Sequence, residues 1–198
     1  MPVSLILAST SPYRAALLQR LGLPFSVEAP GVAEALRAGE APPARALRLA
    51  LAKAHAIAAA HPDAWVLGSD QVADCEGRIL EKPGDADRCR QQLAVCSGRS
   101  VTFFTAAVLA RGQPAAVHQH LDRTTVRFRS LTDAEIARYV QRDRPFDCAG
   151  GFRCEGLGIA LFDGIDGSDP TALVGLPLIW VSRALRQAGL DPLAATQS

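Results

Sequence analysis

The chain has 198 residues, of which 48% are hydrophobic and 21% are charged, so it suits a folded domain rather than a disordered chain. Its 21 basic and 20 acidic residues give a formal net charge of +1, which argues against a nucleic-acid binder because such proteins usually carry a basic face. No apolar run reaches the roughly 18 residues of a transmembrane helix and no signal peptide is expected, so we expect a cytoplasmic protein without a membrane partner. The five cysteines form no CxxC pair, so we expect them to be reduced.

The first half of the chain predicts strands that alternate with helices. An apolar run at 3–8 is typical of a buried strand, and Ser11 and Pro12 suit the cap and first residue of a helix that ends near Leu21. The next predicted elements are a short strand at 25–29, a loop at 30–43, an Ala- and Leu-rich helix at 44–60, and a second buried strand at 64–68 that ends at Ser69-Asp70-Gln71.

The second half predicts an antiparallel arrangement. The predicted elements are a hairpin of 72–73 with 79–80, a helix at 85–96, paired strands at 101–110 and 116–128, a helix at 131–142, a Gly-rich segment at 147–169 with a strand at 158–162, and a closing helix at 178–188. Because strands and helices intermix along the chain, the predicted class is α/β with a mixed sheet.

Hydroxyl groups and an arginine stand where the first strand meets the first helix. The segment Ser9-Thr10-Ser11 is followed by Arg14, and a helix N-terminus offers free N–H groups and the positive end of its dipole. This combination suits a phosphate chain, although an ordinary capped helix with a surface arginine would look the same.

Four charged residues are further candidates. Only two of the 21 basic residues are lysines, Lys53 and Lys82; Lys53 lies in an apolar helix, where its ammonium either reaches solvent or meets an anion in a cleft. Asp70 follows a buried strand, where a carboxylate can bind a divalent metal or activate water, or can simply cap a turn. Glu34, in a loop of small residues, is a second possible metal ligand or a solvated side chain.

The Gly-rich segment carries Glu155 between Cys154 and Gly156. Glycines let a backbone approach a ligand closely, and a carboxylate that accepts two hydrogen bonds can read the N1–H and 2-amino edge of guanine. The alternative is a tight turn with an exposed acid.

Taken together, these segments resemble the Maf family of nucleotide pyrophosphatases over nearly the whole chain. The motifs that carry the resemblance are LILASTSPYR at 5–14, GSDQV at 68–72, GRILEKP at 77–83, EGLGI at 155–159, GSDP at 167–170 and VGLPL at 174–178. The resemblance implies a single domain over 1–198: an elongated mixed sheet flanked by helices, with two lobes around a cleft, similar to inosine-triphosphate pyrophosphatases.

The resemblance also implies an activity. Members of the family hydrolyse nucleoside triphosphates to the monophosphate and pyrophosphate with Mg or Mn, and are often dimers. Matched motifs imply phosphate binding by Ser9, Arg14, Lys53 and Lys82. They make Asp70 the general base and a metal neighbour, with Glu34 as a second metal ligand, although Ala33 stands where the family usually has Asp.

Three positions indicate the substrate. The branch that acts on dTTP and UTP usually has Arg, Thr and Gln at the positions of Tyr13, Gln71 and Glu155, whereas this sequence resembles the branch that acts on 7-methyl-GTP. Methylation at N7 makes the purine cationic, which favours an aromatic face such as Tyr13 and a carboxylate such as Glu155. The alternatives are a dTTP and UTP pyrophosphatase, a broader purine house-cleaning enzyme, and a regulator of septum formation.

Overall fold

The computed structural model describes residues 4–194, so Val3, placed in the first predicted strand, lies outside the described residues. The strands are β1 Leu5–Ala8, β2 Ser26–Glu28, β3 Trp65–Cys75, β4 Arg78–Leu80, β5 Ser100–Arg111, β6 Ala116–Phe128 and β7 Phe162–Asp166. The α-helices are α1 Pro12–Gln19, α2 Pro42–Ala60, α3 Ala86–Cys96, α4 Asp133–Asp143 and α5 Leu178–Gln187. Among the described residues, no helix is long and apolar enough to cross a membrane.

The strands form one mixed sheet in the order β2-β1-β3-β5-β6-β7, with β4 paired to β3. Strand β1 is parallel to both β2 and β3, and the other pairs are antiparallel. The predicted α/β class with a mixed sheet flanked by helices is therefore confirmed. The division into two lobes stays a prediction.

Alternate residues of β5 show that helices cover both faces of the sheet. Ala107 and Leu109 belong to an apolar cluster with residues of α1 and α5, whereas Ala106 and Val108 belong to a cluster with α2. Successive side chains of a strand point to opposite faces, so the two clusters lie on opposite sides of the sheet.

Helix α2 lies very close to β3 at Gly68. A Cβ atom built on Gly68 would lie 2.5 Å from the carbonyl oxygen of Ala50 and 2.7 Å from the amide nitrogen of Ala54. Only glycine allows this approach, and it brings Lys53 of α2 against the polar part of β3.

The Gly-rich segment is fixed to the sheet by aromatic packing. The ring of Phe152 lies edge-to-face against Phe103, Phe128 and Phe162, with centroids 5.4, 5.5 and 4.9 Å away. Such contacts add to the stabilisation from area burial, so the chain from Cys148 to Glu155 has a defined position beside β3 and β5.

Several predicted boundaries were wrong, and β3 is the most informative. The polar residues Ser69, Asp70 and Gln71 predict a strand end, but the strand continues to Cys75 because Asp70 and Gln71 pair in register with Ala106 and Thr105 of β5.

The strand predicted at 158–162 was also wrong. A 3-10 helix occupies Leu157–Leu161, where Gly158 lies close against the backbone of Arg153, and β7 begins only at Phe162. Helix α2 starts at Pro42 rather than at 44, because proline suits the first turn of a helix. Helix α1 ends at Gln19, two residues before the predicted end.

Candidate active site

A cleft beside the carboxyl end of β1 consists of two adjoining pockets. We call them the polar pocket, of about 900 Å³, and the side pocket, of about 630 Å³, each with its open mouth included. The polar pocket is lined by residues that include Ser9, Glu34, Arg45, Lys53, Asp70 and Glu81. The side pocket is lined by residues that include Tyr13, Phe103, Asp147, Cys148, Arg153, Cys154 and Glu155. Both are lined by Ser11, Arg14, Gln71, Lys82 and Ala149, so they form one continuous cleft.

An ammonium between two carboxylates lies at the wall of the polar pocket. The Nζ of Lys53 is 2.6 Å from Oδ1 of Asp70 and 2.6 Å from Oε1 of Glu34. Lys53 and Asp70 are buried, with 6% and 7% of their surfaces exposed. Of the two alternatives that the sequence left open for Lys53, the ammonium that meets anions in a cleft is confirmed.

The two carboxylates differ in their acidity. Burial raises the pKa of Asp70 above its ordinary value, although the charges of Lys53 and Arg14 oppose this change. Burial also acts to raise the pKa of Glu34, but the hydrogen bond and charge of Lys53, with Lys82 and Arg14, outweigh it, and the net pKa is lowered. Two neighbouring carboxyl groups with pKa values moved apart are suited to different roles, and Asp70 is the better proton acceptor.

Hydroxyls and a guanidinium surround the start of α1. The Ser11 side chain caps the helix by accepting from the amide of Arg14, and the amide of Ser11 donates to Oγ of the buried Ser9 at 3.1 Å. The Nε of Arg14 donates to the carbonyl of Gly175 at 2.9 Å, and Ser69 donates to the same oxygen at 2.9 Å. Burial lowers the pKa of the Arg14 guanidinium, against the charges of Asp70 and Glu34.

Lys82 is exposed at the boundary between the two pockets, on the loop between β4 and α3. The neighbouring Glu81 accepts a hydrogen bond from Nη1 of Arg45 at 2.7 Å, and its carbonyl accepts from Gln92 at 2.9 Å. Within residues 4–194, the ammonium of Lys82 forms no ion pair, so its charge is available to a ligand.

Gln71 lies between the two pockets with its amide nitrogen engaged. Nε2 lies 2.9 Å from Oγ1 of Thr105, 3.0 Å from the carbonyl of Ala172 and 3.1 Å from the carbonyl of Leu173. The protein itself therefore uses the donors of this amide, and the group left for a ligand is the acceptor Oε1.

The side pocket brings together Tyr13 from α1 and Glu155 from the Gly-rich segment. The hydroxyl of Tyr13 donates to the carboxylate of Asp147, with distances of 3.2 and 3.4 Å to its two oxygens. Glu155 is exposed and accepts from the Cys154 thiol at 3.4 Å. Burial raises the pKa of the Cys148 and Cys154 thiols to about 12, so neither is a thiolate nucleophile near neutral pH.

All the predicted site residues lie around this one cleft, but sequence reasoning missed others. The predicted residues are Ser9, Tyr13, Arg14, Glu34, Lys53, Asp70, Gln71, Lys82 and Glu155. Arg45, Glu81, Asp147 and Arg153 also line the cleft and were not predicted. For Arg45 a signal existed, because it precedes Lys53 by about two turns of the same helix; for Asp147 the sequence offered none. The catalytic, binding and metal-ligand roles of all these residues stay predictions.

The donor set limits how a divalent metal could bind. Within the described residues, no group of three or more His, Cys, Asp or Glu side chains could hold a metal ion. Glu34 and Asp70 offer two carboxylates, and Lys53 takes up one oxygen of each. Mg²⁺ is usually bound by one or two carboxylates with water and substrate phosphates, so this pair fits a metal that arrives with a phosphorylated ligand.

Comparison with known proteins assigns the family. A family model described as Maf-like protein matches residues 4–188, so the chain belongs to the Maf family, and the resemblance drawn from the motifs is confirmed. A protein of Xanthomonas axonopodis pv. citri named 7-methyl-GTP pyrophosphatase is 56% identical over 187 residues, which cover 94% of this chain and 97% of that protein.

Two further relatives carry the same name. The 7-methyl-GTP pyrophosphatase of Albidiferax ferrireducens is 51% identical, covering 96% of each chain, and that of Bordetella pertussis is 50% identical, covering 97% of this chain and 96% of its own. Among solved structures, the Staphylococcus aureus Ham1 protein aligns with a TM-score of 0.45 at 13% identity, covering 63% of this chain and 71% of that one.

Proposed function

We propose that this protein is a nucleotide pyrophosphatase that hydrolyses 7-methyl-GTP to 7-methyl-GMP and pyrophosphate. The observation that carries the proposal is the continuity of the cleft: the buried Lys53–Asp70 pair and the side pocket with Tyr13 and Glu155 belong to one space. The names of the close relatives support the same substrate. We also propose that it acts in the cytoplasm; a homodimer stays a prediction.

The triphosphate would lie in the polar pocket. The hydroxyls of Ser9 and Thr10 offer hydrogen-bond donors, while Arg14 and the exposed Lys82 offer positive charge at the junction with the side pocket. The α-phosphate would lie at this junction, because the nucleoside must enter the side pocket while the outer phosphates remain in the polar pocket.

Asp70 would take the proton from the attacking water. The water oxygen forms a bond to the α-phosphorus, and the bond from that phosphorus to the oxygen bridging to the β-phosphorus breaks. Pyrophosphate then leaves with the bridging oxygen. Burial suits Asp70 to this role because its raised pKa makes it a stronger base than an exposed aspartate. Lys53 holds the carboxylate in place and, with Lys82, offsets the negative charge that develops on the leaving pyrophosphate.

Glu34 and Asp70 are the residues that would hold a divalent metal, Mg or Mn. When bound, such an ion supplies charge stabilisation to the phosphate oxygens. Lys53 keeps both carboxylates at the same wall of the polar pocket, where they face the proposed phosphate site.

The side pocket would bind the base. Glu155 can accept the N1–H and 2-amino groups of guanine, and Gln71 can offer its free Oε1 as an acceptor. The ring of Tyr13 would favour a cationic base by roughly 0.5–2 kcal/mol.

The test is pyrophosphate release with Mg or Mn from 7-methyl-GTP, GTP, ITP, dTTP and UTP, with the Asp70→Asn variant as control. We expect the highest kcat/KM on 7-methyl-GTP and a loss of at least about 100-fold in the variant, the usual minimum for removal of a general base. A preference for dTTP or UTP would contradict the role of the side pocket. Absence of hydrolysis of all five nucleotides would reject the enzymatic function in favour of a regulatory one.

A further inference from the structure

Asp147 holds a position in the side pocket that the proposed reaction does not yet explain. It lies in the loop after α4, and both of its carboxylate oxygens face the hydroxyl of Tyr13, 134 positions earlier in the chain, at 3.2 and 3.4 Å. Burial raises the pKa of Tyr13 to about 12, so the hydroxyl stays protonated near pH 7. It therefore acts as a hydrogen-bond donor to the carboxylate of Asp147. This contact restrains the ring of Tyr13 at the wall of the pocket.

The charges around the side pocket are unevenly compensated. Of its three basic residues, Arg153 pairs with Asp143 at 3.1 Å, whereas Arg14 and Lys82 lie at the junction with the polar pocket. Within residues 4–194, neither Asp147 nor Glu155 forms an ion pair; their hydrogen-bond donors are the neutral groups of Tyr13, Cys148 and Cys154. Among the described residues, the side pocket therefore holds two carboxylates without a direct ion-pair partner, Asp147 and Glu155.

Two carboxylates that form no ion pair suit a cationic ring. A guanine methylated at N7 carries a positive charge that guanine itself lacks, while the two bases share the donor edge that Glu155 would read. The pattern of donors at that edge is therefore the same for the two nucleotides, and what separates them is the negative charge near the ring, to which a second carboxylate beside an aromatic side chain adds.

We propose that Asp147 is a further specificity-determining residue: its carboxylate positions the ring of Tyr13 and supplies negative charge that favours a cationic N7-alkylated purine over the neutral one. This inference rests on the proposed function and deepens it. It assigns two effects to one carboxylate, and these effects respond differently to substitution.

Two variants separate the effects. Asp147→Asn keeps an oxygen that accepts from Tyr13 but removes the charge. We expect it to lower kcat/KM for 7-methyl-GTP by about three- to tenfold, mainly through KM, while kcat/KM for GTP stays within about twofold. Tyr13→Phe keeps both carboxylates but removes the hydrogen bond, so we expect similar losses for both nucleotides.

The control for a general charge effect is Asp163→Asn. Asp163 is an exposed carboxylate on β7 that lines neither pocket, so the ratio of kcat/KM values for the two nucleotides should equal that of the unmodified protein. An equal loss on both nucleotides in Asp147→Asn, or no loss on either, would overturn the specificity role.

Binding of the products tests the inference without turnover. Calorimetric titration of the full chain with 7-methyl-GMP and GMP should show that Asp147→Asn weakens only the methylated nucleotide, again by about three- to tenfold. Tighter binding of 7-methyl-GMP than of GMP by the unmodified protein, without hydrolysis of 7-methyl-GTP, would contradict the proposed reaction. The inference on Asp147 would then be decided by the titrations of the Asp147→Asn variant alone. Equal weakening of both nucleotides would reject the inference whatever the turnover result.

Discussion

At the scale of single residues, Lys53 connects the two carboxylates of the polar pocket. A buried ammonium that touches two carboxylates at 2.6 Å offsets their mutual repulsion and fixes their positions. Removing one member of a buried charge group leaves the others uncompensated, which costs more than the loss of an exposed pair. Lys53 is therefore both a structural counter-ion and a determinant of the acidity of Asp70.

The substitution Lys53→Met tests this dual role through the pH dependence of the reaction. Asp70 must be deprotonated to act as a base, so kcat/KM falls as the pH drops through its pKa. Burial already raises that pKa and Lys53 opposes the rise, so the variant should move the acid limb to higher pH. We also expect a loss in kcat of about 100-fold or more. The measurement is the pH profile of kcat/KM for 7-methyl-GTP.

Lys82→Met is the matched control for this profile. It removes an ammonium from the same cleft, but Lys82 forms no ion pair with Asp70, whereas Lys53 contacts that carboxylate at 2.6 Å. It should lower kcat/KM and leave the acid limb in place. An acid limb that stays unchanged in Lys53→Met would contradict the assignment of the limb to Asp70.

At the scale of elements, the close packing of α2 on β3 brings this cluster together. The Ala-rich face of α2, with Ala46, Ala50 and Ala54 fully buried, lies against the sheet at Gly68, two residues before Asp70. The small side chains allow the helix axis to approach the strand, so the long side chain of Lys53 reaches the carboxylate from the neighbouring element.

Gly68→Ala is expected to disturb fold and site together. The new methyl group would meet helix backbone at 2.5 and 2.7 Å, which no side-chain rotation can relieve. Overpacking of this kind costs about 1–3 kcal/mol of unfolding free energy, measured by urea denaturation. The displaced helix should also lower kcat, because the hydrogen bond between Lys53 and Asp70 lengthens. A variant with the stability and kcat of the unmodified protein would show that α2 can move without consequence.

The elements also show what the sequence could predict. Local signals identified Ser9 and Asp70 at the ends of predicted strands, and Lys53 as one of only two lysines, inside an apolar helix. The continuation of β3 through Ser69-Asp70-Gln71 could not be predicted, because it depends on pairing with β5 more than 30 positions later. The strand predicted at Gly158 fails for a different and local reason, the close approach of Gly158 to the backbone of Arg153 five positions earlier.

At the scale of the whole molecule, the cleft joins segments that are distant in sequence. The contact between Arg45 and Glu81 spans 36 positions and that between Tyr13 and Asp147 spans 134, so no local pattern indicates either one. The residues proposed to bind phosphate were identified from local motifs, whereas Arg45, Glu81 and Asp147, which contact other segments around the cleft, were missed. The contacts that complete a site between separate segments are the part that only the three-dimensional structure supplies.

The Arg45–Glu81 pair is the contact across the cleft whose effect can be measured most directly. Arg45 is 6% exposed on α2, and its Nη1 lies 2.7 Å from Glu81, next to Lys82 on the β4–α3 loop. A second bond, from the amide of Gly84 to the carbonyl of Phe146, holds the same loop at 2.9 Å. Arg45 therefore fixes the loop that presents Lys82 and adds positive charge to the polar pocket.

Arg45→Met should raise KM for 7-methyl-GTP by about tenfold, since both the loop contact and a charge are lost, and Glu81→Gln should raise KM by about threefold. Because Glu81 acts through Arg45, the double variant should be no worse than Arg45→Met alone. Steady-state kinetics on the three variants give the comparison. An additive increase in the double variant would mean that Glu81 contacts the nucleotide independently. An unchanged KM in Arg45→Met would remove Arg45 from the binding site, and the position of Lys82 would then depend on the other contacts of the β4–α3 loop, those with Gln92 and Phe146.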